Sequence, residues 1–390
     1  MKHKPSNVIK LLALIFLVLA LGTDLVFEIF GLPGIVRHAV QNELEAAGIA
    51  ADAGKIRGGI FTGINMENLT VWDGQRAGTR MLHAEKVSVR PRFFPLFIGN
   101  LAPGKIKVQN ATLYLPAEEE AGAQRTAPVA FRLINGRFEF DADTIRIPRL
   151  QGNVLGGQFS MEGNVRNWRS LSEPTSDEDP EEFFGWDSLL ASMPATSYEY
   201  VGKIRDFAER QLFVREETFV RTTFDLDLAD PEKNSAQGIF QITDLNIGAL
   251  PVRTFKGQFT LDGTLLALPE FKMHAGLRSS MSGQLLINIK SLRLQGGLRG
   301  SFDPHLAYGL LGRPMPRWLA EARFPVPPAF DVKLHPSPLP PEKWRANGTF
   351  AARNMIYRAT HVRSAQGRFQ RKPSLTAFNS LKIAFDSQGK

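Results

Sequence analysis

Apolar and polar residues alternate along Gly257-Gln-Phe-Thr-Leu-Asp-Gly-Thr-Leu-Leu-Ala-Leu-Pro269, on both sides of an Asp262-Gly263 pair. This predicts one β-hairpin: side chains two apart share a sheet face, and Asp-Gly supplies the positive φ of a tight turn. The layout recurs at Gly136–Pro148, offset by 121 positions (257 − 136), with Phe138, Phe140 and Asp141 standing where Phe259, Leu261 and Asp262 stand. A second ladder is built from Gly-x-Phe triplets. Gly238-Ile-Phe240 precedes Gly257-Gln-Phe259 by 19 positions (257 − 238), and Gly348-Thr-Phe350 precedes Gly367-Arg-Phe369 by the same 19 (367 − 348). A Val-Arg pair stands shortly before each later triplet, Val252-Arg253 and Val362-Arg363. Gly157-Gln-Phe159 and Gly59-Ile-Phe61 extend the set. Matched spacing of this kind predicts stacked units of one design, each with an apolar face that it cannot bury alone.

The same reading divides the chain. An apolar run, Val8–Leu21, follows Lys2 and Lys4, with Leu11, Leu12, Leu14, Ile15, Phe16, Leu17, Val18 and Leu19 at its centre and no charge after Lys10. Positive residues before an apolar run are a start signal for membrane insertion. A cleaved signal peptide would end near Ala20 or Gly22, but no Ala-x-Ala site follows and the helical pattern runs on through Ile29, which favours a retained anchor over residues 1–30. Pro33 and the spacing of Ile35, Val36, Ala39, Val40 and Leu44 predict an amphipathic connecting helix over 31–53. Strand patterns then define a first β unit at 54–116 and β repeats at 127–167, 218–302 and 346–390, the last incomplete. Asp73-Gly74, Asn135-Gly136 and Asn347-Gly348 read as turns. Two stretches break the pattern: an acidic, helical insertion at 168–217, and a helical, proline-rich interruption at 303–345 whose prolines are expected to stop strand pairing.

Composition narrows the chemistry. With 34 glycines, 25 prolines and 28 phenylalanines at 43% hydrophobic content, the chain predicts a mainly β fold with short helical insertions. Cysteine is absent, which removes disulfides, thiolate chemistry and cysteine metal sites. A net charge of +8 admits an acidic partner, yet the basic residues read as spread through the strands and are not interleaved with aromatics, which argues against nucleic acid. The seven histidines (His3, His38, His83, His274, His305, His335 and His361) show no metal-ligand spacing, and no nucleophile elbow or phosphate loop occurs. No cofactor, metal or catalytic residue is expected, and the chain reads as a non-enzyme. Asn68-Leu-Thr70, Asn110-Ala-Thr112 and Asn347-Gly-Thr349 match the glycosylation pattern by chance within strands.

The order of an N-terminal anchor, a short helix, Asn68-Leu-Thr-Val71, His83-Ala-Glu-Lys-Val-Ser-Val89 and Ile106-Lys-Val-Gln-Asn-Ala-Thr-Leu-Tyr-Leu-Pro116 resembles the start of AsmA-like proteins of bacterial envelopes, relatives of TamB. The later Gly-x-Phe hairpins resemble their repeating β-groove. The resemblance implies a single-pass inner-membrane protein with its bulk in the periplasm, a long, curled, mostly antiparallel sheet, and a role in outer-membrane biogenesis as a carrier of phospholipid between membranes. An outer-membrane protein is a further partner. Phe138, Phe140, Phe159, Met161, Phe240, Ile242, Phe259, Leu261, Leu285, Ile287 and Ile289 share one alternation phase and are the candidate lipid-groove wall. The same alternation suits a dry two-layer sandwich. Alternative functions are a scaffold for outer-membrane protein assembly, through pairing of sheet edges, and an envelope hydrolase, for which no tight polar cluster stands out.

Overall fold

The computed structural model describes residues 50–59, 63–72, 80–91, 103–114, 130–154, 156–168, 218–247, 250–306, 315–338, 343–358, 360–372 and 375–385. These form eighteen strands of a mainly antiparallel sheet, with a 3-10 turn at Pro231–Lys233 and a one-turn helix, α1 (Arg317–Ala320). The expected anchor, the connecting helix as far as residue 49, the 168–217 insertion beyond Trp168 and the Asp73-Gly74 turn lie outside the described residues. Residues 51–53, expected at the end of that helix, are strand instead, because they pair with Val71, Thr70 and Leu69 of the next strand. No described helix is long and apolar enough to cross a membrane. The chain divides into two compact units, one holding β1–β6 and the other most of β7 and all of β8–β18.

In the first unit, β1 (Ala51–Gly59), β2 (Gly63–Trp72), β3 (Arg80–Pro91), β4 (Pro103–Tyr114), β5 (Ala130–Phe140) and β6 (Thr144–Val154) form an antiparallel meander. Alternation places apolar side chains in register on one face. Ile56, Met66, Val87, Val108, Gly136 and Leu150 face one another strand by strand. Ile56, Leu69, Ala84, Val87 and Ala111 belong to the buried core of this unit. Asn68 and Asn110 sit inside β2 and β4 at φ 55° and 49°, and Leu133 in β5 at 52°. Asparagine tolerates this left-handed conformation better than other side chains, and one such residue within a strand bends it. Asn110 stitches the irregularity together: its Nδ2 donates to Oε2 of Glu85 (2.8 Å), and its backbone N–H to Oδ1 of Asn135 (3.2 Å). Two of the three asparagines that matched a glycosylation pattern, Asn68 and Asn110, are thus strand-bending residues.

In the second unit, β7 (Gly157–Arg166) runs beside β8 (Phe219–Asp227) in the parallel sense. Gly157 abuts Thr218 and Gly163 abuts Phe224, a constant offset of 61 (218 − 157 and 224 − 163), and the Gln158 N–H donates to the Thr218 carbonyl at 2.8 Å. Parallel neighbours need a long crossover. The 51 positions between Arg166 and Thr218 (218 − 166 − 1) supply it. From β8 onward the ladder is antiparallel through β9 (Ser235–Ile247), β10 (Leu250–Asp262), β11 (Leu265–Ala275), β12 (Ser279–Asn288) and β13 (Arg293–Ser301). It continues through β15 (Ala329–Pro338), β16 (Arg345–Tyr357), β17 (Thr360–Lys372) and β18 (Leu375–Phe385), while the two-residue β14 (Ala322–Arg323) pairs with β16.

Three expectations are corrected here. The proline-rich stretch does not stop the ladder: β15 lies within it and pairs with β13 on one side and β16 on the other. The register shift between Leu294–Ser337 and Gly296–Leu334 leaves two residues of β15, His335 and Pro336, opposite one of β13, so Pro336 falls where no ladder donor is required. Asn135-Gly136 and Asn347-Gly348 are interior to β5 and β16, not turns. Gly136 is needed because the Leu150 and Phe138 side chains lie over it, and Gly348 because the Asp331 carbonyl and the Phe369 ring do, not for chain reversal.

The hairpin predicted at Gly257–Pro269 is present as β10–β11, with Gly263 at φ 54°. The Val-Arg pairs also have a cause. Arg253 and Arg363 stand at skipped register positions opposite Asp244 and Asn354, both at positive φ and 110 positions apart (354 − 244).

Glu321, at the end of α1, ties that turn to the ladder: Nε of Arg358 donates to its Oε2 at 2.6 Å, and Nε of Arg317 to its Oε1 at 3.1 Å. The Arg358 hydrogen bond above all holds this carboxyl below the usual glutamate range. A carboxyl that titrates lower when folded adds stability present above the unfolded pKa, and this is lost as pH falls through the folded value. Protection of the Arg358 amide, which donates to the Glu321 carbonyl, should therefore weaken on acidification below the ordinary glutamate range. In Glu321→Gln that pH response should disappear, as measured by hydrogen exchange.

Candidate functional site

Four of the Gly-x-Phe triplets pair reciprocally, and this builds an apolar surface in the second unit. Phe240 faces Gly257 while Gly238 faces Phe259; likewise Gly348 faces Phe369 while Phe350 faces Gly367. Each ring lies over the facing glycine: a Cβ placed at Gly257 would be 3.1 Å from Cζ of Phe240, and one at Gly348 would be 3.1 Å from Cε1 of Phe369. An aromatic covering a cross-strand glycine shields the exposed backbone and fixes register. The spacing of 19 is therefore the hairpin geometry of β9–β10 and β16–β17.

Followed through the ladder, one such pair extends into a row across ten strands. It runs from Val220 through Phe240, Gly257, Phe271 and Gly283 to Leu298, then Val332, Gly348, Phe369 and Phe378. A parallel row runs from Ile242 through Phe255, Met273, Met281 and Gly300 to Phe330, Phe350 and Gly367. Ring contacts bind the rows together, with Phe255 4.8 Å from Phe240 and 5.7 Å from Phe271, centroid to centroid. Among the register-paired positions of this face, the only charged side chain is Arg371.

The candidate residues divide between the units. Phe240, Ile242, Phe259, Leu261, Leu285 and Ile287 lie on this face. Phe159 and Met161 join them, because the offset of 61 sets them beside Val220 and Thr222. Ile289 falls one residue beyond β12, where its N–H donates to the Thr264 carbonyl. Phe138 and Phe140 belong to the first unit: Phe138 faces Ile106, and Phe140 meets the Trp168 ring edge-on at 5.8 Å. The sequence reading missed Phe255, Phe271, Met273, Leu298, Phe330 and Phe378. A bulge at the Leu268/Phe271 shift puts Phe271 and Met273 out of alternation with Leu266 and Leu268, and Phe330 lies in the proline-rich run. Extending the Gly–Phe register strand by strand would have found them.

This face is not sealed. Among the described residues Phe271 and Phe302 are the phenylalanines that fall in the buried core, at 4% and 5% exposure, while Phe240, Phe255, Phe259, Phe330, Phe350 and Phe369 remain half-buried. Exposure is greatest on β18, at 53% for Phe378 and 61% for Phe385. The buried residues of the unit form three small clusters around Val252, Leu294 and Val362. A dry sandwich would show one contiguous layer of fully buried side chains.

Three of the histidines are occupied structurally. His83 shares a hydrogen bond with Thr70 (3.1 Å) and His335 with Asn347 (2.9 Å). His305 bridges Asp303 and the Leu319 carbonyl, each at 2.9 Å, tying the end of β13 to α1. Among the described residues no group of three His, Asp or Glu side chains stands close enough to hold a metal ion. No family model, curated protein or solved structure matches the chain.

Proposed function

We propose that this chain holds phospholipid acyl chains along the apolar face of its second unit, as an envelope protein of the AsmA-like kind, anchored in the inner membrane and serving outer-membrane biogenesis. The observation that carries this reading is a face continuous over β8–β13 and β15–β18, nearly free of charge and lined by phenylalanines that stay half-buried. Such a face resembles neither a finished core nor an ordinary surface, since contiguous exposed apolar patches on soluble domains mark binding sites. Acyl chains are the guest whose chemistry matches: each buried methylene contributes roughly 0.8 kcal/mol, so about eight amount to some 6 kcal/mol without any polar contact. Glycines beneath the rings keep the wall shallow enough for a chain to lie along a row.

Photo-crosslinking residues introduced at Phe259 and Ile287, in cells, should capture phospholipid, read by mass spectrometry of the adduct. Probes at Lys256 and Ser282, which the register places on the opposite face, should not. Lipid captured equally from both faces, or from neither, would overturn the proposal.

A further inference from the structure

The cations that read as evenly spread along the chain are concentrated at one end of it. Residues 293–385 carry 15 Lys and Arg against 4 Asp and Glu, a net +11 (15 − 4), which leaves −3 for the rest of a chain of net charge +8 (8 − 11). The fold then sorts these charges by side. The register puts the apolar rows on one face of β13 and β15–β18, and the other face receives the charge. Arg293 and Arg299 stand there on β13, Lys333 on β15 and Arg345 and Arg353 on β16. Arg368 and Lys372 on β17 and Lys382 on β18 complete the set. All eight side chains are exposed, and among the described residues none takes part in an ion pair. Asp331, facing Arg299, is the single acid at the paired positions of this face.

The arrangement discriminates between polyanions. The cations are distributed in two dimensions, at most two to a strand, and no cross-strand row holds more than two. Arg299, Asp331, Thr349, Arg368 and Asn379 make one such row. A linear polyanion lying along any strand or row would meet at most two cations, whereas a planar one meets cations of several strands at once. This face carries no Phe, Tyr or Trp at its paired positions, so it lacks the stacking platform with which proteins hold single-stranded nucleic acid. An open depression of about 700 Å³ over Ala329 and Ala351, bordered by Arg368, Lys382, Gln366 and Asp331, leaves room for headgroups to settle between the side chains.

We infer that the polar face of β13 and β15–β18 docks on the surface of an anionic lipid bilayer. Each Lys or Arg near such a surface contributes about 1 kcal/mol, roughly fivefold in affinity, and the attraction fades within a Debye length. The inference uses the face opposite the proposed acyl-chain wall and stands or falls without it.

The test presents a membrane in trans, so that the apolar N-terminal run cannot produce a signal by inserting. The full chain, held in phosphatidylcholine nanodiscs, is mixed with separate vesicles of phosphatidylcholine containing none or about 40% phosphatidylglycerol, and capture is read by flotation. Capture should require the anionic lipid and be lost at high salt. The triple variant Arg368→Gln, Lys372→Gln, Lys382→Gln should weaken it about a hundredfold, from three fivefold losses. A triple of equal charge loss in the first unit, Lys55→Gln, Lys86→Gln, Arg132→Gln, should retain most of it. These positions are exposed, so folding is checked simply by an unchanged circular dichroism spectrum. Three results would each overturn the inference: equal capture by neutral vesicles, equal loss in the two triples, or no vesicle capture by a protein that binds soluble heparin or duplex DNA.

Discussion

Gly238→Val is expected to destabilise the second unit by about 3 kcal/mol, at the upper end of the cost of overpacking. Gly238 sits in β9 between β8 and β10, facing Thr222 on one side and Phe259 on the other. A Cβ there would stand 2.4 Å from the Arg221 carbonyl oxygen and 2.6 Å from Cε1 of Phe259. The ring can turn away, but Arg221 is backbone inside a paired strand, so relief requires moving β8 and stretching its ladder. Valine's β-propensity does not offset this, because propensity measures fit to a pleated surface and the surface here is already occupied. The control lies in the same sheet: a Cβ at Gly297 meets nothing closer than the Val332 carbonyl at 3.9 Å, so Gly297→Ala should stay within about 0.5 kcal/mol. Urea unfolding is the measurement, fitted with a separate transition for each unit. Adding Phe259→Leu to Gly238→Val should recover only part of the loss, since the backbone contact remains. Full recovery would mean that the ring alone set the requirement for glycine.

This is also why the repeat was legible in the sequence. A triplet and its partner 19 residues on encode a strand pair whose rings and glycines interchange, so spacing, residue type and register all state one constraint. The β10–β11 hairpin was legible for a similar reason, as Asp262-Gly263 does the conformational work of its turn. Asn135-Gly136 and Asn347-Gly348 present a comparable local signal but answer a different need. Gly136 lies beneath Leu150 and Phe138, and Gly348 beneath Phe369, and those neighbours are set by strands whose pairing the dipeptide does not reveal. Prolines misled in the same way. Their missing donor matters only where the ladder requires one, and a bulge at His335-Pro336 removes that requirement.

The candidate wall was half legible. Alternation found Phe240, Ile242, Phe259, Leu261, Leu285 and Ile287, whose local stretches keep a strict period of two. It lost Phe271 and Phe330, which lie beyond a bulge or within the proline-rich run. The charge asymmetry was hidden differently. Along the chain, cations alternate with phenylalanines, as in Gly367-Arg-Phe-Gln-Arg-Lys372, and read as diluted. Only the pleat separates the two into opposite faces, with Arg371 the exception that stays on the side of Phe369.

The deepest dependence on that pleat is at Phe271, and Phe271→Ala is expected to cost about 4 kcal/mol, within the range for deleting a buried aromatic ring. The ring is 4% exposed and stands between Gly257 of β10 and Gly283 of β12. Deletion of a core ring is ordinarily softened by neighbours that relax into the space. Here the direct cross-strand neighbours have no side chains, so the space would stay open and would also bare the backbone of three adjacent strands. The Phe255 ring, 5.7 Å away and edge-on, would lose its contact as well, a further 0.5–1.5 kcal/mol by the usual worth of such pairs, roughly. Phe369→Ala supplies the comparison. Phe369 also faces a glycine, Gly348, but it is only half-buried and next to the exposed β18, so its loss should cost about 1–2 kcal/mol, in proportion to the smaller area withdrawn from water. Chemical denaturation of the two variants side by side decides the matter. If Phe369→Ala proved as damaging as Phe271→Ala, the half-buried rings would be finished core, and the apolar face would have no room for a guest.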